Sequence, residues 1–130
     1  MPDRELGAGP GRLLTGGYAV FALAATGRAT YQVIAGFAKA PLAYTLSALA
    51  ALIYVLATVA LVKGGDRWRK IATVAISVEL VGVLVVGLVS YLVPSLFPDK
   101  TVWSHFGSGY GYVPLVLPVV GLWWLRRVSR

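Results

Sequence analysis

The chain has 130 residues, 58% of them hydrophobic and only 13% charged, with 12 Lys and Arg against 5 Asp and Glu. A soluble domain usually carries about 25% charged residues, so too little polar surface remains to coat a water-soluble globule. The absence of cysteine excludes disulfides, thiolate metal sites and thiol nucleophiles.

A hydrocarbon core about 30 Å thick needs roughly 20 helical residues to cross it. Four apolar stretches are expected to serve as spans, within a single domain covering residues 1–130. The first, residues 14–38, carries Arg28 and Gln32. A signal peptide ending near Ala22-Leu23-Ala24 is rejected, because the apolar run continues past that site and the preceding tail holds as much acid as base.

The second span, residues 42–62, follows the short link Lys39-Ala40-Pro41 and contains no charge. Tyr44, Ser47, Ala51, Tyr54 and Thr58 recur at alternating spacings of three and four, which lines them along one helix stripe. A basic turn with two glycines, Lys63 to Lys70, leads to the third span, residues 71–93, which carries Glu79. Gly82 and Gly87 in that span offer places for close helix approach.

An outer loop of about residues 94–111 then leads to a fourth span expected over 106–125. Pro114 and Pro118 should kink or loosen that last helix, since each removes an amide donor.

Orientation follows from the basic residues. Arg4, Arg12, Lys63, Arg67, Arg69, Lys70, Arg126, Arg127 and Arg130 fall on one side of a four-span chain, and only Lys39 and Lys100 on the other. The expectation is a multi-pass protein of the cell membrane with both termini cytoplasmic. Trp68, Trp123 and Trp124 fit an inner aromatic belt, and Trp103 an outer one. The net charge of +7 then reads as a topology signal with attraction to anionic lipid, not as a nucleic-acid site.

Charged residues inside a bilayer are expensive and usually find partners within the bundle. The depths of Arg28 and Glu79 predict a buried ion pair between the first and third helices. Gln32, one turn beyond Arg28, and Tyr54, at the depth of Glu79, complete an intramembrane polar cluster. Its structural reading is interhelical glue, and its functional reading is a proton or cation site.

The outer loop holds Trp103, His105 and Tyr110, candidates for contact with a partner or ligand. Gly109-Tyr110-Gly111 invites comparison with a potassium filter, but Gly107 and Ser108 stand where that pattern needs Thr-Val. The lone histidine lacks companions for a metal, and no cofactor is implied. No HExxH, nucleophile elbow or phosphate loop is present, so no catalytic residue is assigned and the chain reads as a non-enzyme.

Thr101-Val102-Trp103-Ser104 through Phe106-Gly107, then Gly109-Tyr110-Gly111 and Val113-Pro114-Leu115-Val116-Leu117-Pro118, resemble uncharacterised small integral membrane proteins of high-GC Gram-positive bacteria. The resemblance implies a cell-membrane location and four helices, and carries no activity. In size the chain is also similar to small multidrug transporters and fluoride channels. Those transporters place their essential glutamate in the first helix, whereas Glu79 is in the third, and neither family's defining motif is present.

The sequence therefore predicts an all-α integral membrane bundle of four transmembrane helices. Two functions are carried forward. The first is a non-catalytic structural or accessory component, in contact with lipid and with other membrane proteins or itself. The second is a small oligomeric proton- or cation-linked transporter or channel using Arg28 and Glu79.

Overall fold

The computed structural model describes residues 10–36, 41–96 and 103–128. Among these the chain is all-α: α1 (Pro10–Gly36), α2 (Pro41–Lys63), α3 (Gly65–Leu92) and α4 (Val113–Val128), with short 3-10 turns at Pro94–Leu96 and Ser104–Tyr110. The link Lys39-Ala40 and the loop residues 97–102 lie outside the described residues.

Two helices, α2 and α3, are long and apolar enough to cross a membrane. The 27-residue α1 has the length but is diluted by Arg28, Gln32 and several threonines, while α4 has only 16 residues. Length and composition thus carry two crossings where the sequence predicted four.

The expected basic turn between the second and third spans is almost entirely helical. Only Gly64 stands between α2 and α3, and it lies at φ 67°, ψ −177°, a region that is essentially glycine-only. Its amide donates to the Ala60 carbonyl at 3.1 Å, closing α2 as the chain reverses. Gly64→Ala should lower stability by about 1–3 kcal/mol, measurable as a shifted unfolding midpoint in detergent.

The last helix also differs from expectation, starting at Val113 and not at residue 106. His105, Phe106 and Gly107 instead form a left-handed turn, with φ of 53°, 59° and 81°. Pro114 sits in the first helical turn, where the missing amide is harmless. Pro118 lies inside, yet the helix runs on to Val128 as one element.

The helices pack as an antiparallel series that closes on itself. The α2 and α3 neighbours are joined by a single residue, and α4 returns to α1, where Leu117 lies against Gly17. This brings Lys63, Arg67, Arg69, Lys70, Arg126 and Arg127 to one end of the bundle. There Lys63 lies over the Trp68 ring at 5.9 Å and Arg127 over Trp123 at 5.4 Å.

Apolar residues fill the core and also cover much of the exterior. Leu52, Val55 and Val59 on α2, and Val74, Val81, Val85 and Leu88 on α3, all point outward, while Glu79, Gln32, Ser47 and Ser90 are buried.

Candidate functional site

The bundle centre is built around Glu79, which stands 14 residues into α3, about 21 Å from that helix's start and near its midpoint. Its side chain has no exposed surface. From α1, the Tyr18 hydroxyl donates to Glu79 Oε1 at 2.6 Å. From α2, Tyr54 brings a second hydroxyl to the same carboxylate. Trp103, arriving from the loop, donates its indole Nε1–H to the Tyr54 oxygen at 3.3 Å. Tyr18, Tyr54 and Trp103 are themselves almost completely buried.

The rings are packed as well as bonded. Tyr54 lies between Tyr18 and Phe21, with centroid distances of 6.0 and 5.7 Å. From α4, Gly121 allows Ile76 and the Tyr18 hydroxyl to approach, the latter at 3.5 Å from where a β-carbon would stand. All four helices and the loop therefore meet at this one point.

Helical register explains why the carboxylate is held by phenols and not, as the sequence predicted, by the Arg28 guanidinium. Tyr18 is level with Glu79, which places Arg28 ten residues further along α1, about 15 Å away along the helix. Gln32 is a turn beyond that, buried on the same stripe as Tyr18 and Ala25. The predicted quartet thus splits. Tyr54 and Glu79 are brought together, while Arg28 and Gln32 lie toward the other end of the bundle.

Sequence reasoning missed Tyr18. The available signal was spacing, because Tyr18, Ala25 and Gln32 recur every seven residues, a stripe that leaves Arg28 off its centre.

The loop seats aromatic rings in gaps on α3. A β-carbon built at Gly82 would fall 2.7 Å from the Trp103 ring, and one at Gly87 would overlap the Phe106 ring. The two glycines sequence reasoning marked for helix approach therefore receive side chains from the loop. The Trp103 ring reaches Gly82, about 15 Å along α3 from its Leu92 end. Trp103, expected in an outer aromatic belt, is instead part of the core at 1% exposure.

Further bonds fix the turn. The His105 amide donates to Ser90 Oγ at 2.8 Å, and the Ser90 hydroxyl donates to the Gly87 carbonyl at 2.8 Å. The His105 ring lies 4.5 Å from Tyr91, and Gly107 fits against the Pro114 ring, which a β-carbon would strike at 2.8 Å. The Tyr110 side chain lies outside the described residues.

Left-handed φ at His105 and Phe106 is costly for residues with a β-carbon, and the seated rings and the Ser90 bond offset that strain. Ser90→Ala should loosen the turn, raising proteolytic nicking near residues 103–112 while costing about 1 kcal/mol of global stability.

Chemically, the site is a carboxylate enclosed by hydroxyl donors. Its Oε2 atom has no hydrogen-bond partner among the described residues. Those residues also hold no group of three or more His, Asp or Glu side chains placed to share a metal.

The chain matches no known protein family, no characterised protein and no solved structure.

Proposed function

We propose that the protein is an integral membrane protein with all four helices embedded in the bilayer and both termini cytoplasmic. It works without catalysis, as a structural or accessory component that binds other membrane proteins. The observation that carries this reading is the apolar exterior, which surrounds an apolar core holding a few polar side chains around Glu79. Soluble monomers rarely expose contiguous apolar patches beyond a few hundred Å², whereas in lipid such a surface is the favourable one. The basic end of the bundle supports the orientation.

The short α4 is accommodated by the docked loop. Non-helical backbone is tolerated at membrane depth where protein buries it, and here Trp103, Phe106 and the Ser90 bond provide that cover.

The topology can be tested cleanly because the chain has no cysteine. A thiol introduced by Asp66→Cys should react with an impermeant reagent only in inverted vesicles, and one introduced by Ser95→Cys only in intact cells. Labelling of both from the same side would rule out the arrangement. The accessory role is tested by gentle extraction of the tagged protein and measurement of complex mass. A fixed-stoichiometry complex with other membrane proteins is expected, and a lone homo-oligomer argues against it.

A second reading, proton- or cation-linked transport, is favoured by one observation, the unpartnered Oε2 of a fully buried carboxylate. In reconstituted vesicles it requires Glu79→Gln to abolish a flux while leaving folding intact.

A further inference from the structure

At the basic end of the bundle a groove of about 400 Å³ opens between α3 and α4, lined by Arg69, Thr73, Leu122, Leu125 and Arg126. Two guanidiniums from different helices converge on it. Arg69 is only 21% exposed at its side chain, and its ion pair with Asp66 is loose at 3.5 Å. The Thr73 hydroxyl is engaged with its own helix, donating to the Arg69 carbonyl at 2.8 Å. The rest of the lining is leucine.

We infer that this groove binds the phosphate of an anionic phospholipid. The inference rests on the membrane reading above, which places the basic end at the level of the headgroups. Guanidinium groups grip phosphate through parallel N–H donors, and two of them around one anion leave little of its charge uncompensated. Asp66 is three-quarters exposed and can release Arg69 to a better acceptor. The floor distinguishes a lipid from a free anion. Leu122, half-buried above the buried Leu125, offers apolar surface that inorganic phosphate would not use and that an acyl chain would cover. Charge and apolarity together therefore select an amphiphile with a phosphate head.

The test uses the full chain reconstituted in vesicles of equal phosphatidylglycerol and phosphatidylcholine, then extracted gently and weighed by native mass spectrometry with its retained lipids. The expected result is a preference for phosphatidylglycerol of about tenfold, the scale of one charge-assisted contact. Arg69→Ala with Arg126→Ala should abolish the preference. Arg12→Ala with Arg67→Ala removes the same charge from the same end but outside the groove, and should leave it intact.

The lysine pair, Arg69→Lys with Arg126→Lys, keeps charge and packing while removing the planar fork. It should lose most of the preference, and it carries the test should the alanine pair not fold. Equal loss in groove and control variants would overturn the site in favour of diffuse attraction. Displacement of the lipid by millimolar inorganic phosphate would overturn the lipid assignment in favour of a free-anion site. A protein that inserts normally but retains both lipids equally overturns this inference alone. One that fails to enter the vesicles at all overturns the membrane reading with it.

Discussion

Trp103→Ala should lower the free energy of unfolding by about 3–5 kcal/mol, the range for truncating a large buried aromatic side chain. The ring is 1% exposed, fills the space over Gly82 and bonds to Tyr54, so three losses coincide. The measurement is an SDS-titration unfolding curve in mixed micelles. A loss below about 1 kcal/mol, the size seen for surface changes, would mean that the ring is not seated.

A cycle makes the assignment specific. Gly82→Val should be destabilising by about 1–3 kcal/mol in the native chain, where the new side chain collides with the indole. In the Trp103→Ala background the same substitution should be nearly neutral, since the obstacle has gone. Additive effects would show that the two positions do not meet.

The second large effect is expected at Glu79. Glu79→Leu strands the Tyr18 and Tyr54 hydroxyls in an apolar centre, at about 1–3 kcal/mol for each. Glu79→Gln keeps a carbonyl acceptor where Oε1 stands and should be milder. The decisive variant is the triple change Tyr18→Phe, Tyr54→Phe, Glu79→Leu. Replacing the carboxylate and both phenols by apolar groups of similar shape is nearly neutral when a polar cluster serves only to join helices, apart from about 1 kcal/mol for the Trp103 N–H bond to Tyr54 that is also lost. Recovery of stability in the triple variant supports the structural role. A triple variant as unstable as Glu79→Leu would show that the carboxylate does more than satisfy two phenols.

Much of this architecture was legible in the sequence, and what was not has definite causes. The uninterrupted apolar run of α2 located that helix to within a residue or two of its observed ends, and the aligned Tyr44, Ser47 and Tyr54 did turn inward. The start of α3 was misplaced because Asp66, Arg67, Arg69 and Lys70 look like a turn by polarity, although a single glycine is enough to reverse the chain. Glu79 was recognisable as a buried charge. Its Tyr54 partner was legible from helix depth, but Tyr18 was not, because an arginine is the obvious counterpart on α1 and a tyrosine ten residues earlier is not. The loop was least legible. Left-handed conformations at His105 and Phe106 are unfavourable locally, and they arise from packing against Gly82, Gly87 and Pro114, which lie elsewhere along the chain.

If the four helices are embedded as proposed, their unequal lengths carry a consequence for the surrounding lipid. At 1.5 Å per residue, the part of α3 beyond Lys70, residues 71–92, is about 33 Å long and α4 with 16 residues is about 24 Å. A bilayer core of roughly 30 Å is close to the first and longer than the second. In that arrangement lipids beside α4 would thin toward its length while those beside α3 would not, so the annulus around the protein would be lopsided. Mismatch costs fractions of a kcal/mol per ångström, enough to favour thinner membrane regions. In that arrangement it would also favour neighbours that cover the α4 side, giving the protein a preferred flank for assembly set by bilayer elasticity.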